Sequence, residues 1–405
     1  MKRLVLVVFD AGGGHRAAAQ ALTAAIEQEG RPWQVELLNL QEVLDPLDPI
    51  LRLTGLRIQD FYNLILKSGW TLGASQLLRV LHAAIRYAHP QIVDLLKKCW
   101  ENRPLDLVAS LIPHFNASIY ESLVLHSPGT PFVTILTDLA DYPPHFWIER
   151  QEQFFICGTE KAAAQVHACG HSPDRVFRTS GMILHPRFYE PFSRDRAAER
   201  QGLGLEPDLP TGLILFGGHG SRAILEIAGR LDKSSLPLQL IVICGRNRRL
   251  VEELQSRRSS HPIFITGFTT NVPYYMHLAD FFIGKPGPGS ISEAVALNLP
   301  VIVESNSWTL PQERYNAKWV EEMGIGVVTG HFRQIVSVVE GLIEPAAFLR
   351  FKSNVTSQYN KAVFEIPDML GKIIDSVRKP DSSPEPPGVY EPENDRPYYS
   401  SSRKD

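Results

Sequence analysis

Three stretches of the chain gather residues able to do chemistry. The first is Asp10-Ala11-Gly12-Gly13-Gly14-His15-Arg16, directly behind an apolar run. Glycine lets backbone approach a ligand closely, and the N–H groups opening a helix favour an anion or a developing negative charge. A histidine there titrates near neutral pH and can serve as a general base. The second is Gly284-Lys285-Pro286-Gly287-Pro288-Gly289-Ser290, with Glu293 three residues on. A helix starting near Ser290 would aim N–H groups at a phosphate, and Glu293 in its first turn could accept from a ribose diol. The same spacing makes an ordinary capping box, and both roles can hold at once. The third group comprises Gly217-Gly218-His219-Gly220, Gly245-Arg246 and Gly267-Phe268, each behind a strand candidate. These turns offer phosphate-facing glycines, a guanidinium for a diphosphate and an aromatic or backbone contact for a base. Open α/β sheets bind ligands at the carboxyl ends of their strands, so the joint occurrence predicts a nucleotide site. The G-x-G-x-x-G spacing of a dinucleotide fingerprint is absent, which speaks against hydride transfer.

These residues need strands to carry them. Short apolar or β-branched runs alternate with helical patterns, the signature of an α/β fold with parallel sheets. Strands are expected at 4–9, 35–39, 107–111, 132–137 and 154–157, then at 212–216, 238–244, 263–266, 281–283 and 300–303. A helix should run from about His15 to Glu29 and close at Gly30. The expected domains are 1–187 and 188–365, the second opening within the proline-bearing stretch 186–210, then a helix at 366–378. The tail 379–405 has six prolines in 27 residues and few aliphatic side chains, a composition expected to be disordered.

The chain's 405 residues allow two or three domains, and 44% hydrophobic with 21% charged residues is ordinary for a globular protein. With 41 Lys+Arg against 44 Asp+Glu, the net charge of −3 gives no basic domain for nucleic acid. No run of 18 apolar residues is present, and the apolar stretch at 4–9 is too short for a signal-peptide core. The four cysteines form no CxxC and predict neither disulfides nor a zinc site. His167, His171 and His185 lack metal-like partners. A cytoplasmic protein, soluble or peripheral on the inner face of a membrane, is expected. Residues 47–98 are helical in pattern, with seven Lys/Arg against three acids and interspersed aromatics. They suit either an anionic membrane surface or core helices with a solvated basic face.

Taken in order, Asp10–Ala17, Thr137-Asp138-Leu139, Cys244–Asn247, Lys285–Gly289 and Gln312-Glu313-xx-Asn316 resemble the monogalactosyldiacylglycerol synthases. These belong to glycosyltransferase family 28, and the resemblance runs from about residue 4 to 375. It implies a GT-B fold, two Rossmann-like domains facing across a cleft. A UDP-sugar donor would sit on the C-terminal domain and a lipid acceptor, diacylglycerol or a relative, on the N-terminal one. It also implies inversion at the anomeric carbon with no cofactor and no metal, consistent with the lack of an Asp-x-Asp pair. The residues nearest that pattern are Asp138 and Asp141, three apart.

Carried over by position, His15 matches the histidine that deprotonates or orients the acceptor hydroxyl, with Asp138 supporting it or the acceptor site. Gly12, Gly13 and Gly14 match the acceptor-side loop and Trp147 the tryptophan near that cleft. Gly217, Gly218 and Gly220 match the phosphate-facing loop, with His219 where an acid is usual. Gly245 and Arg246 match the turn beside it, Gly267 and Phe268 the uracil side. Lys285, Gly287, Pro288, Gly289 and Ser290 match the diphosphate loop, Glu293 the ribose acid, and Gln312 with Glu313 the sugar-hydroxyl pair. Two positions depart: Ile112 stands where plant enzymes carry a histidine, with His114 two residues on, and Pro311 replaces a frequent glycine. The alternatives are another UDP-sugar such as UDP-glucose or UDP-N-acetylglucosamine, another lipid acceptor, or a GT-B protein that binds without transferring.

Overall fold

The computed structural model describes residues 1–9, 13–47, 82–101, 104–143 and 145–378. Twelve strands form two six-stranded sheets, in which every neighbouring pair runs parallel. The first sheet holds β1 (Lys2–Val8), β2 (Trp33–Asn39), β3 (Leu107–Ser110), β4 (Phe132–Ile135), β5 (Phe154–Cys157) and β6 (Val176–Arg178). Its order is β2-β1-β3-β4-β5-β6. The second holds β7 (Thr211–Leu215), β8 (Gln239–Ile243), β9 (Ile263–Thr266), β10 (Phe281–Gly284), β11 (Val301–Glu304) and β12 (Gly326–Thr329). Its order is β12-β11-β10-β7-β8-β9.

The near-continuous apolar runs follow from burial on both faces. Along β1, Leu4, Leu6 and Val8 join one core cluster while Val5 and Val7 join the cluster on the opposite face. In the second sheet, Leu213 and Leu215 face one side and Ile214 the other. The strand order reverses between β1 and β3, and again between β7 and β10. Loops diverge at such switch points and leave a crevice beyond the strand ends.

Helix Gly14–Gln28 forms as expected, and the chain leaves it through Gly30 in the left-handed region, φ 63°. Within the basic stretch 47–98, residues 48–81 lie outside the described residues. The helix His89–Trp100 packs as a core helix with a solvated basic face. Ile92, Val93, Leu96 and Trp100 are buried in the core, and Lys97 pairs with Asp94 at 2.9 Å. The tail 379–405 also lies outside the described residues. Among those described, no helix is long and apolar enough to cross a membrane.

The last helix, Ala362–Arg378, begins inside the span read as the second domain and returns to the first sheet. Ile366, Leu370, Ile373 and Ile374 are buried with Leu4, Leu6 and Ile26, and Val363 packs on Ala21 and Ala25. Its outer edge is clasped by Lys2–Asp375 at 2.8 Å and Arg31–Asp368 at 2.5 Å, both cations lying over Trp33. At the crossing, Ser180 N–H donates to Glu365 and Lys361 N–H to Ser180 Oγ, each at 2.7 Å. A side chain on Gly181 would meet the Asn360 amide at 2.5 Å and would have to displace it from its hydrogen bond to the Met182 carbonyl. Leu370→Ala should therefore cost about 2–5 kcal/mol in chemical unfolding, the usual range for a fully buried leucine. A loss below about 0.5 kcal/mol would remove this helix from the first domain's core.

Candidate functional site between the two sheets

On the first sheet the site is built by the chain leaving β1, β3 and β4. Gly13, at φ 80°, precedes helix Gly14–Gln28 and places His15 in its first turn; Gly12 lies outside the described residues. His15 Nδ1 lies 2.9 Å from Thr137 Oγ1, and its ring meets Trp147 edge-on at 5.8 Å. Burial lowers the His15 pKa to about 4, against a partly opposing hydrogen bond to the Leu111 backbone. The imidazole is thus neutral at pH 7.

Asp138 behaves in the opposite sense. Its Oδ2 accepts from Trp147 Nε1 at 2.9 Å, yet desolvation raises its pKa to about 7. The Trp147 bond and Lys285 pull it down, while Glu313 and Asp141 push it up. Trp147 is fully buried, so it acts as a fixed donor to Asp138.

Thr137 and Asp141, quoted from the sequence without a structural role of their own, hold these two in place. Thr137 engages His15, and Asp141 organises the following loop. The Asp141 carboxylate accepts from the backbone N–H groups of His145 and Phe146 at 2.9 Å and Trp147 at 2.7 Å. No periodic pattern advertises such a loop. Ile112, at the position of departure, is a buried core residue. His114 takes a left-handed φ of 69°, and its ring centroid lies 3.8 Å from that of Phe146 and 4.7 Å from that of His82. Burial, with His82 and His15 nearby, lowers its pKa to about 3.

On the second sheet, the turns after β7, β8 and β9 interlock. Arg246 N–H donates to the Gly218 carbonyl at 2.9 Å. Gly220 and Gly245 have φ of 67° and 59°, and a Cβ on either would strike the other turn's backbone, at 2.2 and 2.6 Å. Only glycine permits that approach. The Arg246 guanidinium lies 4.4 Å over the ring of half-exposed Phe268, and Gly267 faces the Gly245 carbonyl. Lys285 reaches in from β10, its Cε 3.9 Å from where a Gly217 Cβ would stand.

The capping-box reading is corrected. Helix Pro288–Ala296 starts at N-cap Gly287 with proline at its first position, so Ser290 donates to the Gly287 carbonyl at 3.2 Å instead. Glu293 consequently stands in the second turn, and burial raises its pKa to about 7. Lys285 Nζ pairs with Glu313 at 2.8 Å, and Gln312 beside it holds a buried Oε1 with no partner. Asn316 donates to the Pro286 carbonyl at 2.9 Å and ties this segment to the Lys285–Gly289 loop.

The two halves meet. Lys285 and Glu313 act electrostatically on Asp138, and Tyr142 and Tyr315 lie with ring centroids 5.7 Å apart. The trio His15, Asp138 and Trp147 on the first sheet therefore faces the lysine loop of the second. Among the described residues, no group of three His, Cys, Asp or Glu is spaced to hold a metal ion.

A family model, glycosyltransferase family 28 C-terminal domain, matches residues 213–363. The chain is 28% identical to monogalactosyldiacylglycerol synthase 1 of Arabidopsis thaliana, over 95% of this chain and 73% of that one. It is 30% identical to the probable monogalactosyldiacylglycerol synthase of Glycine max, over 86% of this chain and 66% of that one. Among solved structures, Acinetobacter baumannii MurG superposes with a TM-score of 0.59, at 14% identity, over 92% of this chain and all of that one. The calicheamicin glycosyltransferase CalG4 does so with 0.60, at 14% identity, over 93% and 100%. The fold shared with these glycosyltransferases is GT-B.

Asp138 yields a stability prediction with a defined sign. Its pKa rises from 3.8 when unfolded to about 7 in the fold, so its contribution is complete below pH 4 and lost as pH rises through 7. Asp138→Asn keeps an acceptor for Trp147 and should leave stability near pH 4 unchanged. Above pH 7 it should stabilise the protein by about 1–2 kcal/mol. Equal unfolding midpoints for both proteins at pH 8 would contradict the raised pKa.

Proposed function

The chain belongs to glycosyltransferase family 28, and from that premise we propose that it moves galactose from UDP-galactose to diacylglycerol, inverting the anomeric carbon without a metal. The observation that supports this reading is the approach of the two halves, with Tyr142 and Tyr315 ring centroids 5.7 Å apart and the Lys285–Glu313 ion pair within electrostatic reach of buried Asp138. An acceptor hydroxyl held beside Asp138 attacks the anomeric carbon from the face opposite UDP. The new C–O bond forms as the bond to the β-phosphate oxygen breaks, and UDP leaves with the electron pair. The hydroxyl proton passes to Asp138.

Two features support Asp138 as the base. A carboxylate whose pKa lies near 7 accepts a proton readily at neutral pH, whereas a histidine near 4 is a poor base. The His15 ring is also engaged by Thr137 and Leu111, which suits it to orienting the acceptor in neutral form. On the donor side, Lys285 and the opening N–H groups of helix Pro288–Ala296 face the diphosphate, supplying charge stabilisation without a cation. Glu313 shares Lys285 with the arriving diphosphate, so donor binding loosens an existing ion pair. Glu293 and Gln312 are assigned to the ribose and the sugar hydroxyls, and Phe268 over Arg246 to the uracil side.

Because the acceptor is a lipid, the first domain must reach a bilayer, and of the basic stretch 47–98 we assign residues 47–88, ahead of the core helix His89–Trp100, to peripheral contact with an anionic surface. The protein should pellet with anionic vesicles and detach as salt rises, the mark of an electrostatic contact. Indifference to lipid charge would remove that assignment.

The reading is tested by incubating the protein with diacylglycerol vesicles and, separately, UDP-galactose, UDP-glucose and UDP-N-acetylglucosamine, weighing the lipid products. A hexosyl-diacylglycerol formed from UDP-galactose, at a rate unaffected by EDTA, is expected. Product from another donor alone would change the sugar, and UDP binding without any product would favour a different acceptor or a non-catalytic protein.

A further inference from the structure

Beyond the reacting groups, the cleft is bridged by Tyr142 and Tyr315, whose ring planes lie 30° apart. Tyr142 follows Asp141, the residue that pins the acceptor-side loop. Gln165 clasps the backbone of Asp141 from both sides, its Oε1 accepting from the N–H and its Nε2 donating to the carbonyl, each at 2.9 Å. Tyr315 follows Gln312 and Glu313 by a few residues, on helix Arg314–Glu322, and its hydroxyl donates to Glu322 at 3.3 Å. Both rings are half-buried. Each is thus mounted on a fixed support beside one half of the reacting gap: Asp138 and Trp147 on one side, Lys285 and Glu313 on the other.

We propose that Tyr142 and Tyr315 close the cleft wall against water, so that bound UDP-sugar is consumed by transfer and spared from hydrolysis. This rests on the transfer reading above. A base poised near the anomeric carbon does not by itself distinguish a lipid hydroxyl from water. In the competing reaction the water oxygen bonds to the anomeric carbon, the bond to UDP breaks with its electron pair on UDP, and Asp138 takes the water proton. Excluding solvent is the way to suppress it. The two tyrosines are positioning residues: they hold the halves together without touching the reacting atoms.

The experiment uses the full chain with UDP-galactose and diacylglycerol vesicles, measuring free galactose against glycolipid in each reaction. Tyr142→Ala and Tyr315→Ala should each raise the hydrolysis-to-transfer ratio, by roughly tenfold for a breached water barrier. Tyr142→Phe and Tyr315→Phe, which keep the rings, should stay within about twofold of the parent. The double alanine variant should be no worse than the worse single one, because either loss opens the same wall. The substitutions lie in different domains, so if one variant fails to fold the other decides. An unchanged ratio in a folded alanine variant, or independent effects that multiply in the double variant, would overturn the proposal. If the parent protein makes neither free galactose nor glycolipid, the transfer reading itself falls.

Discussion

The cleft depends on the buried carboxylate of Asp141. By accepting the consecutive backbone N–H groups of His145, Phe146 and Trp147, it fixes the approach of these residues despite the left-handed conformation of His145. That geometry delivers the Trp147 indole to Asp138 and Tyr142 to Tyr315. Burial alone would push the Asp141 proton affinity up, and the three N–H groups work against it by solvating the ionised form. A buried charge thus takes over the role a regular element would otherwise play.

The loop also explains how two titratable neighbours come to differ in opposite directions. His15 and Asp138 are both withdrawn from water, and desolvation disfavours whichever form is charged. For the imidazole that means a lowered pKa, for the carboxyl a raised one. At pH 7 the imidazole is then neutral, while Asp138 is poised between its protonated and ionised forms. The return of the last helix onto the first sheet keeps the two halves facing each other. It makes the chain between the domains a double crossing, at Ser180–Met182 and again at Asn360–Lys361.

Much of this was legible in the sequence where physics is local. Short, near-continuous apolar runs marked most strands, and glycine turns stand behind several of them. The strands that sequence reading missed, β6 and β12, lie at sheet edges. There one neighbour suffices and no long apolar run is required: Val176, Phe177 and the Gly326–Val328 stretch are only half-buried. The start of helix Pro288–Ala296 was misplaced because proline at a first helical position reads as loop. Pairings between distant parts of the chain, such as Tyr142 with Tyr315 or Asn316 with Pro286, leave no trace in spacing. The chemistry of Asp138 was hidden for a related reason, since its proton affinity comes from burial and from a tryptophan placed by another residue's hydrogen bonds.

The assignment of Asp138 as the base is tested most directly by the pH dependence of kcat/KM for lipid glycosylation. Ionisation near 7 predicts a rate that rises about tenfold per pH unit below that point and levels off above it. Asp138→Asn should be slow and lack that limb, while His15→Ala should be slow yet keep it. A parent profile flat from pH 5 to 8, or a limb that vanishes with His15 and survives in Asp138→Asn, would contradict the account and return the proton to the histidine.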